Sequence, residues 1–77
     1  MLSSAEAVTY VLDNTIDTTL YSISNSLTYD NIKVTPIMLS NYKNSKHVMS
    51  QKVAKRFYDY YGIEIGDSQT HLGRGIL

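Results

Sequence analysis

Val34-Thr35-Pro36-Ile37-Met38-Leu39-Ser40-Asn41-Tyr42-Lys43-Asn44-Ser45-Lys46 carries the clearest local signal in the chain. Threonine is a good N-cap because its hydroxyl accepts a free N–H of the first turn. Proline suits the first helical position, where no N–H is needed. The pair Thr35-Pro36 therefore predicts a helix from Pro36 to about Asn44, with Leu39 and Tyr42 turned inward at i, i+3 spacing. Asn44-Ser45-Lys46-His47 reads as a loop. Beyond it Ser50 caps a further helix that runs to Tyr60 or Tyr61 and stops at Gly62. Its apolar face is Val53, Ala54, Phe57 and Tyr60 or Tyr61; its polar face is Gln51, Lys52, Lys55, Arg56 and Asp59.

Upstream, Ser3-Ser4-Ala5-Glu6 reads as a capping box, with Leu2 placed to pack on Ala7 as a hydrophobic staple. A helix follows with Val8, Val11 and Leu12 on one face. Asp17 is expected to cap a second helix carrying Leu20, Ile23 and Leu27. The spacing 8, 12, 16, 20, 23, 27 also fits one continuous helix. Two are preferred, because Asn, Thr and Asp are poor helix-interior residues and good caps. Tyr29-Asp30-Asn31-Ile32-Lys33 reads as a turn or short irregular insertion, Ile63 and Ile65 as a short extended piece, and the segment from Gly66 to Leu77 as a tail. The fold class expected is all-α, a compact bundle of four to five helices.

Seventy-seven residues make one domain with a small core, so dimerisation or partner binding is expected to supplement its stability. Without cysteine there is neither a disulfide scaffold nor a thiolate metal site. The 43% apolar fraction is ordinary for a globular chain. No run approaches the roughly 18 apolar residues of a membrane span. The first residues lack the basic and apolar regions of a signal peptide, so a cytoplasmic setting is expected. Seven tyrosines stand against one phenylalanine and no tryptophan. Such rings can pack while their hydroxyls stay wet or donate to phosphate.

The net charge of zero hides a strong polarisation. From Asn31 to Tyr58 there is no acid, yet Lys33, Lys43, Lys46, Lys52, Lys55, Arg56 and His47 fall there. Only Arg74 of the seven Lys and Arg residues lies outside. A block of one sign suits a polyanion, nucleic acid first, although a solvated face with clustered charges is the simpler explanation.

Residues 34–46 resemble the recognition helix and following loop of the lambda-repressor-like, Cro-type helix-turn-helix family. There an apolar residue precedes a Ser/Thr cap, an aliphatic is buried mid-helix, an aromatic follows, and a polar loop carries Lys or Arg. Val34, Thr35, Leu39, Tyr42 and Asn44-Ser45-Lys46 fill those places. Residues 49–63 are similar to the family's next helix with its Leu-Gly-Ile-like stop, and residues 4–28 match it more loosely. The stretch from Thr28 to Val34 is longer than the family's usual turn and has no glycine, and the helix opens with Pro36, Ile37 and Met38 where the family usually has polar residues. The resemblance implies that residues 1–66 form a helix-turn-helix DNA-binding domain, with residues 67–77 a tail that can serve dimerisation. It implies a transcriptional regulator of Cro or repressor type, like the small phage or plasmid regulators, working as a homodimer on double-stranded DNA without a cofactor.

A recognition helix presents its first residues to base edges in the major groove. The expected base contacts are Pro36, Ile37, Ser40 and Asn41, with Ile37 able to meet a thymine methyl and Asn41 able to pair with adenine. The expected phosphate contacts are Lys33, Thr35, Lys43, Asn44, Lys46, His47 and Lys52. The plainer alternatives are a solvated helix residue at Asn41, partial burial or a partner contact at Ile37 and Met38, and a water-facing side of the last helix at Lys55 and Arg56. A protein-binding module on the same scaffold, such as a phage-encoded inhibitor or antirepressor, is the other function class, and the apolar Pro36-Ile37-Met38 surface fits it. An enzyme is not expected: the chain has no G-x-S-x-G, Walker A or H-E-x-x-H motif, and its acids are scattered. Its two histidines, His47 and His71, are widely separated and indicate no metal site.

Overall fold

A computed structural model describes residues 1–68. Four helices follow one another there: α1 (Ser4–Asn14), α2 (Leu20–Leu27), α3 (Pro36–Lys43) and α4 (Gln51–Tyr61). The core takes side chains from all of them: Ala7, Val8 and Val11 from α1, Ile23 and Leu27 from α2, Leu39 and Tyr42 from α3, and Val53 and Phe57 from α4. Val34 and Met49, from the segments flanking α3, complete it. α3 packs on both α1 and α2, and α2 also packs on α4. The domain is thus all-helical, and none of its described helices is long and apolar enough to cross a membrane.

Three of the four helices start at the cap the sequence predicts: Ser3, Thr35 and Ser50. Ser3 accepts from the Glu6 N–H at 3.1 Å, and the Glu6 carboxylate accepts the Ser3 N–H at 2.9 Å, a reciprocal capping box. The N-cap of α2 is Thr19, paired with Ser22 in the same way, and not Asp17 as the sequence suggests. Asp17 instead adopts φ 59°, a left-handed turn that an aspartate tolerates better than most residues. That turn breaks the i, i+4 row between α1 and α2. Ile16, inward on a continuous helix, is 90% exposed.

The link between α2 and α3 is a pinched excursion. Tyr29 and Ile32 exchange both backbone hydrogen bonds, at 2.9 and 2.8 Å, and Asp30 takes positive φ to close the turn. At its base the Thr28 hydroxyl accepts the Val34 N–H at 3.0 Å and donates to the Val34 carbonyl at 3.1 Å. Ser24 donates to the same carbonyl from inside α2. Residues 29–33 therefore leave and return at one point, so Thr28, Val34 and Thr35 alone bridge the two helices.

The chain ends of the described region are tied together. The Leu2 N–H donates to the Glu64 carbonyl at 3.0 Å, and the Gly66 N–H to the Leu2 carbonyl at 2.8 Å, a parallel bridge centred on Leu2 and Ile65. The extended piece expected at Ile63 and Ile65 is this pairing. Asp67, where the tail was expected to begin, is anchored: one carboxylate oxygen accepts the Ser4 N–H at 2.8 Å and the Ser4 hydroxyl at 2.7 Å. The dimerisation role expected of residues 67–77 falls mostly on positions 69–77, outside the described residues.

Candidate nucleic-acid interface

α3 divides sharply into two faces. Leu39 is fully buried and Tyr42 nearly so, while Ile37 is 74% exposed on the outer side. Ser40 and Asn41 are half-buried, on the flank between. Burial raises the Tyr42 phenol above its ordinary range, as expected of a hydroxyl drawn into the core. Thr35 holds the first turn: its hydroxyl accepts the Met38 N–H at 3.1 Å, and its carbonyl accepts the Leu39 N–H at 3.1 Å. Pro36 brings no N–H, and Met38 packs on the core with its sulfur 3.5 Å from the Thr35 nitrogen. The outer tip of α3 is therefore poor in donors and apolar at Ile37.

The other end of α3 is basic and tightly shaped. Ser45 donates its N–H to the Tyr42 carbonyl at 3.0 Å, and Lys46 donates to the Asn41 carbonyl at 2.8 Å. These two bonds, with Ser45 at φ 62°, make a Schellman close in which serine occupies the place usually held by glycine. The His47 N–H adds a longer bond to the same Asn41 carbonyl at 3.3 Å. Lys43, Asn44, Lys46 and His47 are consequently fixed in backbone and exposed in side chain, and Asn44 reaches back to the Ser40 hydroxyl at 3.4 Å. Placing cations at this end also favours the negative pole of the helix.

Lys33 and Lys52 are exposed on segments that flank α3, the first leaving the hairpin excursion and the second in the first turn of α4. Lys52 lines a concavity of about 260 Å³ with Tyr29, Ile32, Lys55, Arg56 and the acids Asp30 and Asp59. It thus belongs to a mixed-charge group as well as to the basic block. Among the described residues the one ion pair is Lys55 with Asp59, 3.3 Å apart on successive turns of α4. Lys33, Lys43, Lys46 and Lys52 make none.

Arg56 is a structural residue. Its Nε donates to the Leu27 carbonyl at 2.9 Å and its Nη2 to the Ser26 carbonyl at 3.2 Å, capping the end of α2. Its guanidinium lies 4.9 Å from the centre of the Tyr29 ring. One side chain so joins α4, α2 and the hairpin excursion. No local pattern signals this role, since an arginine on a polar helix face looks the same whether it meets water or a carbonyl.

Compared with models of known protein families, with curated proteins and with solved structures, the chain matches none.

Proposed function

We propose that this chain is a sequence-specific, duplex-DNA-binding transcriptional regulator of Cro or repressor type, with α3 as the helix that enters the major groove. The observation that carries the proposal is the end of α3. Among the described residues Lys43 and Lys46 are exposed and unpaired there, on a loop whose backbone is fixed by the Tyr42 and Asn41 carbonyls. They lie next to an exposed helix face within a stretch that contains no acid. Cations held in this way grip a phosphate chain without paying to order the loop first. The pinch at Thr28 and Val34 supports a helix-turn-helix reading of α2 and α3, because it shortens a long connection to the three residues that such a turn needs.

In this reading Pro36, Ile37, Ser40 and Asn41 face base edges. Lys33, Thr35, Lys43, Asn44, Lys46, His47 and Lys52 face phosphates and sugars. A short helix with this few cations needs a second half-site for specific affinity, so a homodimer on two half-sites about one helical turn apart is part of the proposal.

The test is a titration against duplex DNA at several salt concentrations. Contacts from Lys33, Lys43, Lys46 and Lys52 predict a slope of log K against log salt of roughly −3 to −4 per protomer, at about −0.9 per contact. Lys46→Ala should flatten it by about one unit and weaken specific and random sequences alike. A flat salt response would overturn the proposal and favour the protein-binding alternative. That alternative draws support from the exposed Ile37 and the zero net charge.

A further inference from the structure

We propose that the outer groove of α1 takes residues 69–77 of the same chain, an acid-free segment whose Arg74 pairs with Asp13 and whose Leu72 packs on Tyr10. The groove shares no residue with the proposed DNA contacts, so the inference stands without them. Its volume is about 410 Å³, and Leu2, Ala5, Thr9 and Tyr10 line it together with Glu6 and Asp13. Tyr10 is 52% exposed. From Met1 to Ile32 the sequence holds four acids and no Lys, Arg or His. Among the described residues neither Glu6 nor Asp13 forms an ion pair. Asp13 also stands in the last turn of α1, where the helix dipole disfavours an acid and no basic residue offsets it. The groove therefore fits an occupant that is both apolar and basic.

Residues 69–77 have that chemistry and begin close to the groove. They carry Leu72, Ile76 and Leu77 with His71 and Arg74, and no acid. Asp67 holds the Ser4 N–H and hydroxyl, so the chain leaves the described fold at the first turn of α1. From Ser4 to Asp13 the helix advances about 14 Å. The chain from Asp67 to Arg74 reaches up to about 24 Å, which is enough to bring Arg74 to Asp13. A tether this short supplies an effective concentration on the order of millimolar, so that one apolar contact and one ion pair suffice to populate the docked state. A second concavity near the same exit, lined by Lys55, Tyr58, Glu64, Ile65 and Ser68, holds a cation as well as an acid and offers a basic segment no net attraction.

The chain has no cysteine, so Gly75→Cys gives a single attachment point for a nitroxide. Its broadening of backbone amide signals is read by NMR on the full chain. The amides of Thr9, Tyr10 and Asp13 should broaden most, ahead of those of Lys55 and Tyr58. Arg74→Glu should lower the ratio of docked to undocked chains about two- to fivefold, the worth of one exposed ion pair, and adding Asp13→Lys should restore it. Leu72→Ser should lower the same ratio about tenfold. An equal mixture of nitroxide-bearing chains and isotope-labelled chains without nitroxide should leave the α1 signals sharp. Broadening on α1 in that mixture would give the groove to the segment of a second copy and overturn the proposal. Broadening centred on α4 or on neither helix, or a charge swap that restores nothing, would overturn it as well. None of these outcomes bears on duplex binding, which its own titration tests.

Discussion

Ser4 offers the sharpest test of how this small domain holds together. It is 1% exposed, and three hydrogen bonds meet at it. Its N–H and hydroxyl both donate to Asp67, and its hydroxyl accepts the buried Met49 N–H at 2.8 Å. The start of α1, the segment before α4 and the residue following the Leu2–Ile65 bridge therefore converge on one oxygen atom. Ser4→Ala removes that oxygen. The Met49 N–H, with its residue fully buried, then has no partner, which costs about 1–3 kcal/mol. The lost hydroxyl–carboxylate bond adds about 1 kcal/mol, held low because Asp67 keeps its bond to the Ser4 N–H and is partly hydrated. Alanine's better helix propensity returns a few tenths of a kcal/mol.

The net expectation is a loss of about 2–3 kcal/mol from a domain whose total stability is of the order of 4–12 kcal/mol. Urea unfolding followed by far-ultraviolet circular dichroism measures it, and the melting temperature should fall by roughly 10–20 °C. Asp67→Ala should cost less, and the double variant should show positive coupling between the two sites. A Ser4→Ala loss below about 0.5 kcal/mol, or strict additivity with Asp67→Ala, would refute the argument that this junction closes the fold.

Three further outcomes are expected. Ser45→Gly relieves a left-handed serine in the Schellman close and should stabilise the domain by about 0.5–1 kcal/mol, read as a higher urea midpoint with unchanged slope. Arg56→Lys keeps the charge but loses the fork that caps α2. It should cost about 1–2 kcal/mol in the same assay while leaving the salt dependence of DNA binding as it was, which separates a clamp from a phosphate contact. The Tyr42 and Tyr61 phenols are both raised from 10.0 in the fold, first of all by burial, with a Ser26 hydrogen bond opposing the rise at Tyr61. The unfolded chain therefore loses these protons first. The stability they contribute is complete below pH 10 and declines as pH climbs above it; Tyr61→Phe should make alkaline unfolding less steep.

The helices were legible because their signals are local. Thr35-Pro36, Ser3 with Glu6, Ser50 and Gly62 act through bonds to residues three or four positions away, and the inward rows at Val8 and Val11, Ile23 and Leu27, Leu39 and Tyr42, and Val53 and Phe57 follow from helical period alone. Asp17 and Thr19 show where that reasoning frays. Two neighbouring residues can each cap a helix, and the choice fell to the one whose side chain Ser22 could answer. The acid-free block and its exposed lysines were likewise visible in order along the chain, since a lysine without a nearby acid has little reason to be buried.

What no local pattern could show is which polar groups meet across the fold. Arg56 finds carbonyls 29 and 30 residues away, and Ser4 finds Asp67 at a separation of 63. Sequence by itself determined the helices, their inward faces and the sign of the charge beside α3, because backbone hydrogen bonding and side-chain period set these within a few residues. Tertiary structure decided that Arg56 is a clamp, that Asp67 is anchored and that the excursion at residues 29–33 closes on itself, because each depends on a partner brought near only when the core assembles.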